Sequence, residues 1–261
     1  MVGRALSGGY PRNDTVPGEV VMEVRGVSGS EFEDVSFQVR AGEILGFAGL
    51  VGAGRSETMR AIVGYDRMKS GEIFIGGKKV TIRHPSDALK LGVVMASEDR
   101  KSLGLILCRD IKENISIQNE RHYTTAGFMN HRREQEMCEG IANEMSVKMN
   151  SISDIAGNLS GGNQQKVVLA KCLLTNPRVM ILDEPTRGID VGAKAEIYKK
   201  IVELAGKGMA IVMISSEMPE LIGMSDRILA MSGGRIRAEF DNGDRRTSQS
   251  EILTAALEGV E

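Results

Sequence analysis

The segment Gly49-Leu50-Val51-Gly52-Ala53-Gly54-Arg55-Ser56 brings glycines, a cation and a hydroxyl together between an apolar run and a helix-forming one. Glycine at 49, 52 and 54 lets the backbone turn sharply, so that its N–H groups and the following helix N-terminus point at a polyphosphate. The spacing matches G-x-x-x-x-G-[K/R]-[S/T], a phosphate-binding loop when it joins a strand to a helix. Gly49, Gly52, Ala53, Gly54, Arg55, Ser56 and Glu57 are the candidate nucleotide-binding residues, with Ser56 placed to ligate Mg2+. Read alone, the same segment also fits a glycine-rich strand-to-helix turn that holds no ligand.

Two residues depart from the usual chemistry. Arg55 stands where a lysine normally presents a compact point charge, and its planar fork has a different reach. Glu57 lies in the first helical turn, where a carboxylate suits an empty helix dipole but repels a triphosphate. Like charges at about 4 Å cost about 4 kcal/mol at an effective dielectric near 20, so a Glu57 facing the ligand would weaken nucleotide binding.

Val179-Met180-Ile181-Leu182-Asp183-Glu184-Pro185 is an apolar strand ending in two acids. Asp183 suits Mg2+, and Glu184 suits the orientation and deprotonation of an attacking water, since positioning and charge neutralisation do most of the work in phosphoryl transfer. Upstream, Leu159-Ser160-Gly161-Gly162-Asn163-Gln164-Gln165 opens an apolar helical run. A serine and two glycines at a helix start let phosphate approach Ser160 and the backbone donors closely.

These segments need elements to position them. Val20 to Val24, Val35 to Val39, Glu43 to Ala48, Gly71 to Ile75, Lys79 to Ile82 and Val93 to Met95 read as strands by alternation or continuous apolarity. Asp110 to Met149 reads as helical, with Met137, Ile141, Met145 and Met149 forming a core-facing stripe. Val179 to Leu182 and Ala210 to Ile214, separated by a helix over Ala193 to Ala205, imply a parallel sheet. The fold class is therefore α/β, with a mainly parallel sheet, an N-terminal antiparallel β region and an inserted α-helical subdomain. The expected division is 1–19 a linker, 20–103 the first part of the nucleotide-binding core, 104–160 the helical subdomain, 161–238 the second part of the core and 239–261 a tail.

Composition narrows the class. With 261 residues, 33 Lys+Arg against 35 Asp+Glu and 4% aromatics, the chain lacks the basic surface of a nucleic-acid binder. Its apolar runs are too short to cross a bilayer and its start lacks a signal-peptide core, so it is expected to be soluble and cytoplasmic. Cys108, Cys138 and Cys172 are spaced too widely for a zinc motif and read as reduced, packed thiols.

In order, phosphate loop, Leu159 to Gln165 and acidic strand resemble the ATP-binding cassette (ABC) family, whose signature is LSGGQ. The chain is most similar to the second cassette of fused ATPases of bacterial monosaccharide importers of the ribose and galactose type. Ser97-Glu98-Asp99-Arg100-Lys101, Asp183 to Gly192 and Ser215 to Glu220 carry that closer match, and Met1-Val2-Gly3-Arg4 with Tyr10-Pro11-Arg12 resembles the join behind a first cassette.

The resemblance implies a P-loop NTPase core, ATP and Mg2+ as cofactors, and head-to-tail pairing in which each ATP lies between one cassette's phosphate loop and the other's signature. Glu98 stands where the family usually has a Gln that touches Mg2+, and Ser216 where it has a switch His. No stacking aromatic for adenine is evident, Phe32 fitting the core equally well. The implied arrangement is asymmetric: Arg55, Glu57, Glu98 and Ser216 weaken the chain's own site, while Leu159, Ser160, Gly161, Gly162, Asn163 and Gln164 serve a partner's ATP. Glu184 argues for some retained hydrolysis, although weak or absent turnover is expected of the isolated chain.

The implied partners are a first cassette in the same polypeptide, membrane permease subunits and, indirectly, a periplasmic sugar-binding protein, with the chain peripheral on the cytoplasmic face of the inner or plasma membrane. No nucleic acid is implied. The apolar loop Leu103 to Leu107 reads either as a buried connector or as a permease docking surface. A non-hydrolysing structural or regulatory cassette, and a non-transport ABC ATPase, are the alternatives.

Overall fold

A computed structural model describes residues 9–12, 14–120, 123–125, 128–244 and 247–258; the expected join at Met1 to Arg4 lies outside them. The central element is a six-stranded sheet in the order β12-β11-β3-β10-β9-β6. Its strands are β3 (Ile44–Gly49), β6 (Val93–Ala96), β9 (Val179–Asp183), β10 (Ala210–Ile214), β11 (Arg227–Ser232) and β12 (Arg235–Asp241). All neighbours run parallel except β11 and β12, which form a hairpin. β9 and β10 are buried at every position, as expected of parallel strands covered on both faces.

A second sheet, β2-β1-β4-β5, is antiparallel and covers one face. It comprises β1 (Val20–Ser28), β2 (Val35–Arg40), β4 (Ser70–Ile75) and β5 (Lys78–Val80). In β2 every second residue, Val35, Phe37 and Val39, is buried, so the alternation in the sequence is the physical face of the sheet. Together with α1 (Arg55–Ile62), this layer forms one core around Phe37, Phe47, Met59 and Ile62. Phe32 is buried in the same core.

The opposite face carries the larger core. α5 (Gly161–Leu173) and α6 (Val191–Gly206) lie against the strands, joined by α3 (Ile111–Ser116), α4 (His131–Glu144), α7 (Met218–Met224) and α8 (Gln249–Leu257). A short helix, α2 (Pro85–Lys90), leads into β6.

The structure departs from the sequence expectation in three places. The stretch from Asp110 to Met149 is not one helical run: α3 ends near Ser116, and β7 (Thr124–Thr125) and β8 (Phe128–Met129) pair as a small hairpin before α4. Tyr123 buries its ring there and donates its hydroxyl to the Ser116 carbonyl, and Asn130 caps α4 by accepting from Arg133 N–H at 3.0 Å. β11, β12, α7 and α8 follow Ile214, where the sequence reading names no further strand or helix. Gly233 and Gly234 at φ 55° and 73° make the β11–β12 turn, a two-residue hairpin signal present in the sequence. Of the cysteines, Cys138 and Cys172 are packed, their thiols pushed up by burial to about 12 and about 11. Cys108 is exposed and is not a packing residue.

Met145 of the α4 stripe is fully buried, with Ile141 and Met149 packed against the same core. The loop Leu103 to Leu107 alternates: Leu105 is buried, while Leu103 and Ile106 are 71% and 44% exposed.

Candidate functional site

The C-terminal ends of β3, β9 and β10 lie side by side, the position at which parallel α/β sheets bind ligands. β3 delivers the glycine loop, β9 the two acids and β10 the turn Ser215-Ser216. Gly52 and Gly54 take left-handed φ of 80° and 89°, accessible to glycine without strain. A Cβ at Gly52 would meet nothing within 4 Å, so the loop crest is open; a Cβ at Gly54 would stand 2.7 Å from the Glu31 carbonyl. α1 then starts at Arg55 without a side-chain cap, which leaves first-turn N–H groups for an acceptor from outside the helix.

Ser56 and Asp183 meet: the Ser56 hydroxyl donates to Asp183 Oδ1 at 3.1 Å. Burial pushes the Asp183 carboxyl up to about 6, against the Ser56 hydrogen bond, which pulls the other way. Two hard oxygen donors in contact, one a carboxylate destabilised by burial, fit a small divalent cation such as Mg2+.

Glu184 has a left-handed φ of 49°, an uncommon conformation for a residue with a Cβ. Its N–H donates to the Ile214 carbonyl at 2.9 Å, and Ser216 Oγ donates to its Oε2 at 3.1 Å. Burial raises the Glu184 carboxyl, partly offset by the Ser216 hydroxyl and the nearby Arg55 charge. Glu184 and Ser216, 32 residues apart in the chain, are thus one unit.

Arg55 does not reach over the glycine loop. Its side chain turns into the protein, is 8% exposed, and donates from Nη1 to the Ser215 carbonyl at 2.9 Å. Burial lowers its affinity for the proton, while Glu184, Asp183 and Glu57 favour the charged form. Glu57 is half-buried in the first turn of α1. Glu98 forms an ion pair with Arg187, whose N–H donates to the Glu184 carbonyl at 3.1 Å.

One participant, quoted in the sequence only as the end of the segment Ser215 to Glu220, has no site role assigned there. Glu220 of α7 is 1% exposed and accepts from Thr186 Oγ1 at 2.8 Å and from Ser215 Oγ. It therefore clamps the turn after the acids to the turn after β10. Burial raises its carboxyl against those two hydrogen bonds. Spacing offers little clue, since only the fold brings positions 186, 215 and 220 together.

The Leu159 to Gln165 segment lies away from this cluster, at the N-terminus of α5. Ser160 is exposed and caps the helix, accepting from Asn163 N–H at 3.5 Å and from Asn163 Nδ2 at 3.1 Å. Gln164 points inward and donates to the Ala156 carbonyl at 3.3 Å. Beside Ser160 lies an open cleft of about 690 Å³, bordered by Lys148, Asn150, Asp154, Asn158 and Asn163. The chain thus presents two separate surfaces: a loop backed by acids, and a capped helix start facing solvent.

The ABC transporter family model matches residues 32–187. The ribose import ATP-binding protein RbsA of Bacillus licheniformis is 47% identical over 260 residues, covering 99% of this chain and 52% of that protein. A putative ribose/galactose/methyl galactoside import ATP-binding protein of Rhizobium etli is 44% identical, covering 99% of this chain and 49% of that one. The chain spans about half the length of the curated relatives it matches. Among solved structures, MJ1267, an ATP-binding cassette of an ABC transporter, superposes with a TM-score of 0.77 at 20% identity, covering 91% of this chain and 98% of that one, which speaks for the fold. With the phosphate loop, the acidic strand and the capped signature helix in one P-loop fold, the chain belongs to the ABC transporter ATP-binding family, close to its ribose- and galactose-type import ATPases.

Proposed function

We propose that this chain is the second of two fused cassettes in a sugar-importer ATPase, and that it acts mainly by presenting its signature helix to ATP held on the partner cassette. The observation that carries this reading is the contrast between Arg55 and Ser160. The cation of the phosphate loop is buried against the Ser215 carbonyl, whereas the Ser160 hydroxyl stands exposed at the start of α5. A phosphate approaching Gly49 to Ser56 meets backbone donors but no extended cation, and the Glu57 charge opposes it. A phosphate approaching Ser160 meets a hydroxyl and a positive helix end.

The own site keeps parts of the hydrolytic machinery. Ser56 and Asp183 would hold Mg2+, which supplies charge neutralisation at the phosphates when bound. Glu184, oriented by Ser216, is the candidate base for a water, so slow turnover at this site is part of the proposal. Glu98, paired with Arg187, replaces a neutral amide with a charge already engaged within the protein.

The transport functions of the relatives, ribose and ribose/galactose/methyl galactoside import, support a monosaccharide as cargo, and their roughly double length supports a further cassette in the same polypeptide. Permease subunits and a periplasmic sugar-binding protein are the corresponding partners, with the chain at the cytoplasmic face of the membrane. The test is ATP turnover of the full protein carrying both cassettes. Ser160→Arg should abolish it and Arg55→Ala should leave at least half; the reverse pattern overturns the assignment. A non-hydrolysing structural cassette is the second reading, favoured by the inward Arg55. Absence of Mg-ATP binding by calorimetry, with transport unchanged in Glu184→Gln, would select it.

A further inference from the structure

Arg100, on the π-helical turn Arg100–Gly104 after β6, lies in the segment Ser97 to Lys101 and has no role in the nucleotide site described above. Its Nη1 donates to the Arg187 carbonyl at 2.8 Å and its Nη2 to the Gly188 carbonyl at 3.2 Å. The same guanidinium lies against the signature helix: a Cβ at Gly161 would stand 2.8 Å from Arg100 Nη2 and 3.3 Å from the Gly188 carbonyl. A side chain at Gly161 would therefore have to displace the Arg100 guanidinium and crowd the Gly188 carbonyl.

The side chain is placed for its fork. Nε is buried without a partner among the described residues, a cost that a lysine, with no such atom, would avoid. Two Nη groups hold successive carbonyls from separate atoms of one rigid plane, whereas an ammonium would have to bring a single nitrogen within reach of both. Those carbonyls belong to the turn that starts at Glu184, closed by the Arg187 N–H donating to the Glu184 carbonyl at 3.1 Å, and ends at Asp190, which caps α6 by accepting from Ala193 N–H at 2.9 Å. Next to Arg100 in sequence, Asp99 fixes the π-helical turn by accepting from the N–H groups of Lys101 and Ser102 at 3.0 and 3.1 Å.

The geometry points to Arg100 as a positioning residue that locks the signature helix start to the acid-bearing turn, so that the surface offered to a partner's ATP and the chain's own Glu184 move as one piece. Arg100 touches no nucleotide in this assignment; it acts through the backbone at 187 and 188 and through Gly161. The assignment rests on the reading of Ser160 as the donor in trans.

The experiment uses the full protein with both cassettes, measuring kcat and KM for ATP in Arg100→Ala, Arg100→Lys and, as reference, Ser160→Arg. Loosening a preorganised donor surface lowers the rate more than ground-state binding. Arg100→Ala is therefore expected to lower kcat about tenfold with KM for ATP within about twofold of the parent. Arg100→Lys, with one shorter-reaching nitrogen in place of two, should recover part of that loss. If Arg100→Ala does not fold, Arg100→Lys carries the test, with kcat about threefold lower and KM unchanged. A kcat equal to the parent's in the folded variant, or a loss confined to KM, overturns the positioning role. If Ser160→Arg abolishes turnover while Arg100→Ala leaves it unchanged, only the Arg100 assignment falls; if turnover survives Ser160→Arg, both fall.

Discussion

Arg55 Nη1 donates to the backbone carbonyl of Ser215 at 2.9 Å, tying the phosphate loop to the turn after β10. This bond uses the loop's cation for structure. Arg55→Ala leaves a buried carbonyl without its partner and should destabilise the chain by about 1–3 kcal/mol, measured by urea unfolding. Arg55→Lys, which restores a compact charge at that position, should tighten Mg-ATP binding by the isolated chain about tenfold, equal to about 1.4 kcal/mol, read by calorimetry.

Glu220 holds two hydroxyls, Thr186 Oγ1 and Ser215 Oγ, on one buried carboxyl. Glu220→Ala strands both, and a loss of about 2–6 kcal/mol is expected from about 1–3 kcal/mol for each unsatisfied group. Glu220→Gln keeps the shape and one acceptor, so its cost should stay near 1 kcal/mol. Chemical denaturation of the two variants separates these outcomes, and equal costs would count against the clamp.

Asp183, Glu184 and Glu220 are all raised by burial, Asp183 to about 6. A carboxyl raised on folding binds its proton more tightly in the native state. Its stabilising contribution is present below the unfolded value and is lost as pH climbs through the folded one. In the absence of nucleotide and Mg2+, stability should therefore rise as pH falls from 8 to about 5. The shift of Asp183 from 3.8 to about 6 corresponds to an upper bound of about 3 kcal/mol. Asp183→Asn should flatten that slope, and thermal melts at stepped pH read it directly. At lower pH the trend should reverse, since Asp190, Asp99 and Glu196 are held below their ordinary values by hydrogen bonds to their anionic forms.

Gly162 and Gly140 should respond oppositely to alanine. A Cβ at Gly162 would lie 2.4 Å from the Ala193 Cβ, so α5 and α6 would have to part; about 1–3 kcal/mol of destabilisation is expected. Gly140 lies exposed inside α4 with nothing within 4 Å of its would-be Cβ, and Gly140→Ala should stabilise by about 0.5–1 kcal/mol through helix propensity. Melting temperatures of the two variants should move in opposite directions.

The glycine loop, the acidic strand end and the signature segment were legible because each is contiguous and sits at a strand or helix terminus, where composition and geometry coincide. The sequence assigns the signature glycines to phosphate approach; packing against Ala193 explains Gly162 independently. Arg55's inward turn was not legible, because a residue type specifies charge and reach but not which carbonyl lies within that reach. The contacts of Glu220 with Thr186 and of Arg100 with Arg187 were hidden for the same reason: these partners are 34 and 87 residues away. β11 and β12 were hidden by omission, since an apolar run followed by Gly233-Gly234 carries its own hairpin signal.

Ser160 accepts from both the backbone N–H and the side-chain amide of Asn163, and a hydroxyl oxygen has two lone pairs. With both engaged, its single proton has only outward directions left. An aspartate would finish the helix equally well yet offer an arriving anion nothing but repulsion; the serine completes the helix with its oxygen and greets the anion with its hydrogen. Threonine is the replacement that preserves both tasks.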